Sequence, residues 1–452
     1  RDQSMTAPTR FRFLNEEAEL DECGWDNPAL AKLWRYNQHY FDDLNAVDSS
    51  GRTDWHRALI ADWIVANLPG EGSGWEPYPV SLRIVNWVKW GLAGNDLDDA
   101  ARHSLAVQVR WLTRRLERHL LGNHLFANAK ALVVAGLFFD GEDADGWLDS
   151  GLAILRREIP EQVLADGGQF ELSPMYHALA LEDLLDLVNV ARVFGRHDLA
   201  EELGKPVPSM MKWLAAMIHP DCGIAFFNDS AFNVAPENSE LLDYAKRLGF
   251  PTNSRAAPLI HNQSSGYVRM ARGDAVLIAD IAPIGPDYLP GHAHADTLSF
   301  ELSLQGQRLV VNGGTSIYGL SDERLRQRGT AAHSTLVVDG ENSSEVWSGF
   351  RVGRRARPVI AEAWEENEVL RARGAHDGYR HLDGRPVHQR EWALTEHGLN
   401  IEDTVQGAGM HRLEAYFHLH PDIFVKIDDD TGSVRLTARA SARADGEHRV
   451  GS

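Results

Sequence analysis

What most constrains the fold is a change of hydrophobic period near residue 250. From about residue 25 to 250, apolar residues recur every three or four positions, over 53–67, 79–94, 98–120, 124–139, 144–158, 176–195 and 206–219. That spacing predicts amphipathic helices, broken where Pro69-Gly70-Glu71-Gly72 and Asp140-Gly141 stand. After Gly249-Phe250-Pro251-Thr252-Asn253 the runs become alternating or β-branched, over 267–270, 275–281, 298–304, 308–312, 334–339, 359–372, 386–404, 411–419 and 433–440. Turn residues such as Gln305-Gly306 and His397-Gly398 separate them at hairpin spacing. Helices in one block and strands in the next imply an α+β chain of two domains, 1–255 helical and 256–452 antiparallel, and not an alternating doubly wound sheet. A chain of 452 residues also exceeds what one hydrophobic core usually organises.

Charge narrows the partners. A net charge of −20 argues against nucleic acid. It also repels a polyanion at long range, yet residues 321–360 hold seven arginines (Arg324, Arg326, Arg328, Arg351, Arg354, Arg355, Arg357) against five acids. Such a strip either binds carboxylate or sulfate bidentately or is a solvated edge. Two cysteines, Cys23 and Cys222, do not build a disulfide framework. No apolar run resembles a signal peptide or is long enough to span a bilayer, so the expectation is a cytoplasmic protein without membrane contact. Removal of an upstream signal would make it periplasmic or secreted. Of the thirteen tryptophans, those at 34, 55, 63, 75, 87 and 90 fall in the helical half. Most read as packing, although indole faces also suit sugar clefts.

Four short segments carry polar chemistry. Ser173-Pro174 reads as an N-cap with proline at the first helical position, which puts Tyr176 in the first turn. The partial positive charge there favours a phenolate, useful to a group that takes and returns a proton. Asn123 is either an N-cap or a neutral amide aimed at a carboxylate; His124 stands beside it and Asn128 follows on the same helical face. In Gly291-His292-Ala293-His294-Ala295-Asp296, the two histidines would share one side of a strand. An exposed imidazole is an ordinary proton carrier, and the two histidines with Asp296 suit a divalent metal; His333 precedes a strand of its own and Asn312 closes another, so these polar groups would meet on one sheet. WEPYPVSLRIVNW and WRYNQHYF contribute Trp75, Glu76, Tyr78, Arg83, Asn86, Tyr36 and His39 as cleft candidates or scaffold.

The stretches LLGNHLFANAKAL, SPMYHALALEDLLDL, FNDSAF, GYVRMARGD, PGHAHADTLSFEL, VVNGGTSIYG and RGTAAHSTLVVDG together resemble the bacterial heparinase II/III-like polysaccharide lyases. The resemblance spans roughly residues 30 to 420. It implies an incomplete (α/α) toroid followed by an antiparallel β-sandwich, with the substrate cleft between them. The implied reaction is β-elimination on a uronate polymer: a glycosaminoglycan, alginate or a bacterial exopolysaccharide. Asn123 and His124 would neutralise the uronate carboxylate, Tyr176 would act as general acid and base, and His292 as the second base. Trp75, Arg83, Asn128, Tyr36, His39 and Arg328 would bind the polymer. His294 and His333 match positions that hold a structural metal, zinc or manganese, in some members; Asn312 stands where an aspartate is the third ligand. Two rivals remain. An (α/α)-toroid glycoside hydrolase would need opposed carboxylates, drawn from Glu171 with Asp229 or Glu76. A polysaccharide-binding protein would keep the fold without turnover.

Overall fold

The computed structural model describes residues 1–252, 257–428 and 433–438. The expected boundary at 255/256 and the end of the 433–440 run lie outside these residues. The chain forms two compact units, one of Arg1–Ala215, Ala231–Arg255 and Gly285–Pro290, the other of Ala216–Ser230, Ala256–Ile284 and Gly291–Ser452.

The first unit is helical where the period predicts it, with helices Thr53–Ala66, Pro77–Leu92, Asp99–Thr113, Gly122–Phe138, Glu142–Gln162, Pro174–Val193 and Val207–Ala216. The Asp99–Thr113 helix stops well short of residue 120 for a local reason. The Glu117 N–H donates to the Asn128 side chain at 2.8 Å, and Leu121 and Gly122 both take positive φ. A three-strand antiparallel meander at Met5–Ala7, Arg10–Phe13 and Glu16–Glu19 precedes the helices. Its short strands pair Arg10 with Glu19 and Arg12 with Glu17, and charges of this kind leave no alternation to read.

The tryptophans are mostly core. Trp63 meets Phe41, Trp75 and Trp87 at ring separations of 6.4, 5.6 and 5.8 Å, and the Arg83 guanidinium lies 3.8 Å from its ring centroid.

The second unit is built from antiparallel sheets. Five strands follow in order, Leu259–Asn262, Tyr267–Arg272, Ala275–Asp280, Phe300–Leu304 and Gln307–Val310; a second sheet holds Pro358–Glu366, Val369–His376, Val387–Leu394 and Leu399–Gln406. Val268, Met270, Leu277 and Phe300 of the first sheet pack with Leu370, Ala372, Trp392 and Leu394 of the second in one core. Two facing sheets with a shared apolar interior form the sandwich layout. Val387–Leu394 alternates buried and half-buried residues along its length, the period-2 signal in its plainest form. The run 359–372 splits into two strands because Asn367 and Glu368 both take positive φ in a tight hairpin turn. Helices first and antiparallel sheets second is the α+β order expected from the sequence.

Candidate active site

Asn123 and His124 open the Gly122–Phe138 helix, and both are half-buried. Gly122, at φ +54°, cannot be replaced without disturbance: a Cβ there would lie 2.6 Å from Leu289 Cδ2 and 3.3 Å from Glu171 Oε1. Gln162 Nε2 also donates to its carbonyl at 3.2 Å. Behind His124 stands Glu117, a buried acid whose Oε1 is 3.0 Å from His124 Nδ1. A carboxylate only accepts, so Nδ1 carries the proton and Nε2 is the nitrogen left for a ligand. Asn128 holds that acid, donating from Nδ2 to Glu117 Oε2 at 3.0 Å and to Ser81 Oγ at 3.0 Å. Tyr78 lies against the imidazole with ring centroids 4.5 Å apart.

This arrangement predicts that Glu117→Leu releases the His124 ring from its fixed Nδ1–H form, with Glu117→Gln intermediate because its amide oxygen still accepts. Histidine ¹⁵N shifts provide the check: loss of the fixed Nδ1–H form of His124 in the leucine variant is expected. An unchanged tautomer would remove Glu117 from this role.

Tyr176 sits in the first turn of Pro174–Val193, where its N–H donates to Ser173 Oγ at 3.2 Å, as the capping residues predict. Its side chain is half-buried. The next residue, His177, is buried core: Nε2–H donates to the Met210 carbonyl at 2.9 Å and Nδ1 accepts from the Gln169 N–H at 3.2 Å. Burial pushes its pKa down to about 3, so it is neutral and structural. Phe170 N–H donates to the Gln162 carbonyl at 2.9 Å, while Gln162 holds Gly122. Through Gln162 and Glu171 the helix starts bearing Asn123–His124 and Tyr176 are neighbours within the helical unit.

In the sheet unit, residues 291–299 are a loop and not a strand, so His292 and His294 do not share a face. His292 is half-buried, while His294 is fully buried. The loop is clamped by its backbone. Asp229 N–H donates to the His292 carbonyl at 3.1 Å, and Arg328 Nε donates to the Ala293 carbonyl at 3.0 Å. Asn228 Oδ1 accepts from the His294 N–H at 2.9 Å. Asp229 in turn pairs with the fully buried Arg324 guanidinium, with 2.7 Å from NH2 to Oδ2, and with His294 Nε2 at 2.8 Å. Burial pushes the Asp229 pKa up, but the His294 and Arg324 hydrogen bonds outweigh it and hold the carboxyl at about 2. Asp229, Arg324 and Glu117 were not legible as positioning groups, although Arg324 and Arg328 stand four apart on one short helix.

Several sequence expectations are corrected by burial. Trp75 is core, and its indole N–H donates to the Asn67 carbonyl at 3.2 Å. Arg83 is fully buried, donating to Gln108 and to the His39 and Gly74 carbonyls. His39 accepts from the Trp63 indole at 3.1 Å, and burial, then the Arg83 charge, push its pKa down to about 3. Asn128 supports Glu117, and Arg328 is buried with its guanidinium engaged by the Ala293, Ser348 and Arg351 carbonyls. None of these five can touch a polymer. Tyr36 is half-buried and donates to Glu76, which also pairs with Lys32 at 3.0 Å. Four of the seven arginines of the strip are engaged elsewhere: Arg324 and Arg328 are interior, Arg326 pairs with Glu323 at 2.7 Å, and Arg354 binds backbone carbonyls, while Arg351 is exposed. Asp229 is locked by Arg324 and Glu76 is bonded to Lys32 and Tyr36, so neither stands as a free carboxylate opposite Glu171 in the hydrolase reading.

The metal expectation can be tested against donor chemistry. His294 donates from Nε2 to Asp229, which leaves Nδ1 an acceptor, and that nitrogen is buried without a hydrogen bond. A carboxylate behind a histidine is the usual second shell of a metal ligand. His333 is also buried, its ring centroid 5.3 Å from that of His294, and its Nδ1 is 3.2 Å from Asn312 Oδ1. Two ligands of one tetrahedral ion, each bound at about 2.1 Å, stand at a separation of this order. The two imidazoles and the amide oxygen thus fit a divalent ion. Among the described residues no group of three His, Cys, Asp or Glu side chains is placed to hold one, and Asn312 Oδ1 is the further donor beside the two imidazoles.

Residues 55–254 match the model of the heparinase II/III N-terminus and residues 254–450 that of the heparinase II/III-like C-terminal region. A heparin-sulfate lyase of Bacteroides stercoris is 28% identical over 252 residues, 50% of this chain and 37% of that protein. One from Pedobacter heparinus is 28% identical over 248 residues, covering 49% and 36%. The chain therefore spans little more than a third of the length of these two relatives. The FtsZ-localized protein C of Caulobacter vibrioides is 26% identical over 445 residues, 92% of this chain and 74% of that protein. Among solved structures, a heparan sulfate lyase mutant from Pedobacter heparinus superposes with a TM-score of 0.66 at 20% identity, over 95% of this chain and 72% of that one. A heparinase III structure gives 0.69 at 19% identity, over 87% and 66%. Two family models that together take in most of the chain, on a helical unit followed by antiparallel sheets, place this protein in the heparinase II/III-like family.

Proposed function

We propose that the protein is a polysaccharide lyase that cleaves a uronate polymer by β-elimination, with a heparan-type glycosaminoglycan as the first candidate substrate. The observation that carries this reading is the pair of neighbouring helix starts. One presents an amide beside an imidazole backed by a buried acid, and the other presents a phenol. In the reaction a base removes the C5 proton, the C–H electrons form the C4–C5 double bond, and the C4–O bond breaks. Asn123 donates its amide N–H to the uronate carboxylate, and the imidazolium form of His124, its Nδ1–H held by Glu117, donates from Nε2; both stabilise the charge that develops as the proton leaves. Tyr176 protonates the departing oxygen and, in syn elimination, first takes the C5 proton. His292, on the sheet unit, is the base we assign for the uronate epimer whose C5 proton lies on the opposite face.

Absorbance of the conjugated double bond tests the reading on heparan, chondroitin, hyaluronan, alginate and glucuronan. A rise on any of them supports elimination and names the polymer. New reducing ends without the chromophore mean hydrolysis instead. The second reading is a polysaccharide-binding protein of the same fold without turnover; the relative that matches 92% of this chain is named for its localisation and not for a reaction. That reading predicts silence on every polymer.

In the same proposal His294, His333 and Asn312 hold a divalent ion, which ties together the loops that bear them; no catalytic step is assigned to it. Elemental analysis is expected to find about one zinc or manganese per chain, and chelation to lower the melting temperature. A metal-free protein of unchanged stability would overturn this assignment.

A further inference from the structure

The strands Val346–Trp347 and Arg351–Val352 form a small antiparallel hairpin in which Trp347 lies directly opposite Arg351. Opposed residues on an antiparallel pair point to the same face. Both side chains are exposed, Trp347 by 53%. Among the described residues the Arg351 guanidinium makes no ion pair and the Trp347 indole N–H has no acceptor. The hairpin thus offers solvent an apolar ring face and a charged fork side by side.

The hairpin is held rigidly. Arg328, fully buried, donates to the Ser348 carbonyl at 3.2 Å and the Arg351 carbonyl at 3.2 Å, and to the Ala293 carbonyl at 3.0 Å. Arg324 adds a bond to the Gly349 carbonyl at 3.1 Å and one to the Gly291 carbonyl at 3.5 Å. Ala293 and Gly291 flank His292, so two interior arginines fasten this hairpin to the backbone on either side of the assigned base. At the turn, Gly349 packs on Gly319, where a Cβ would lie 2.4 Å from the Gly319 carbonyl oxygen. That close approach stacks Phe350 on Tyr318, with centroids 6.3 Å apart and planes at 12°.

We infer that Trp347 and Arg351 form a binding subsite for an acidic pyranose residue of the polymer, next to the one whose C5 proton is removed. The inference rests on the lyase reading above. The C–H face of a pyranose packs on an indole, and a guanidinium fork takes the carboxylate or sulfate on the same ring. A neutral sugar would use only half of the pair, and an apolar protein partner would leave Arg351 buried and unpaired.

The test is calorimetry of the full chain carrying Tyr176→Phe, which cannot turn over, with size-defined heparan, chondroitin and alginate oligosaccharides and neutral dextran as control. Trp347→Ala and Arg351→Gln, each added to that chain, are expected to weaken binding of the best oligosaccharide about tenfold. The arginine variant should also lose part of the salt dependence. Unchanged affinity in both, or binding of dextran as tight as that of the acidic chains, overturns the subsite. So does failure of every acidic oligosaccharide to bind. A change in sedimentation with unchanged oligosaccharide affinity assigns the face to a second copy of the chain and overturns it equally. Absence of the chromophore with the unmodified protein would sink the elimination reading alone, because the calorimetry reads binding without turnover.

Discussion

Tyr176→Phe is expected to abolish chromophore formation on the best uronate substrate, a loss of roughly a hundred- to ten-thousandfold in turnover. The size follows from the role. The hydroxyl is the only atom removed, and under this mechanism it both receives the C5 proton and returns one to the leaving oxygen. The ring remains in place because the helix start is set by main-chain and neighbouring contacts: the Ser173 cap, Pro174, and His177 bonded to Met210 and Gln169. Folding and polymer affinity should therefore be nearly unchanged, which separates loss of chemistry from loss of structure. His292→Ala supplies the contrast. If Tyr176 serves syn elimination alone and His292 serves the other epimer, the histidine variant keeps activity on one uronate and loses it on the other. Near-normal turnover in Tyr176→Phe would falsify the assignment outright.

The elements were legible because their signals are local. Ser173-Pro174 announced a helix start, and the cap, the proline and Tyr176 stand where those residues require. The strands after residue 257 showed alternation because one face of each sheet meets a shared core. What could not be read is the interior polar chemistry, which depends on contacts far apart in sequence. Nothing near Glu117 says that Asn128 will bind it and that it will hold His124, since this requires Leu121 and Gly122 to reverse the chain at positive φ. Arg83 and Arg328 looked like substrate ligands because arginine usually lies at a surface. Each is buried because backbone carbonyls left without sheet or helix partners need donors, and a guanidinium supplies several in one plane. The histidine pair was placed on a strand for its two-residue spacing, yet this loop is shaped by Asn228, Asp229 and Arg328 from elsewhere in the chain.

Arg324→Met is expected to destabilise the sheet unit by about 3–5 kcal/mol, the usual cost of stranding one member of a buried ion pair. Arg324 and Asp229 are both fully inaccessible, and the guanidinium also binds Thr315 Oγ1 at 2.9 Å and the Gly349 carbonyl at 3.1 Å. Methionine fills much of the volume but leaves the Asp229 carboxylate facing an apolar chain, with the bond from His294 kept. For a unit of this size the melting temperature should fall by roughly 10 °C. Arg328→Met is a useful comparison, because Arg328 has carbonyl partners and no acid; burial and then the Arg324 charge already push its pKa down to about 10. Removing it relieves a buried charge while orphaning three carbonyls, so the net loss should be smaller. The decisive variant is Arg324→Met combined with Asp229→Asn. If the stranded charge is the dominant cost, neutralising Asp229 restores at least half of the lost stability. If the double variant is no better than Arg324→Met alone, the cost lies in the freed carbonyls of Gly349 and Gly291. The arginine then acts chiefly as the fastener between the Trp347 hairpin and the His292 loop, and the oligosaccharide affinity of the variant should fall with its stability.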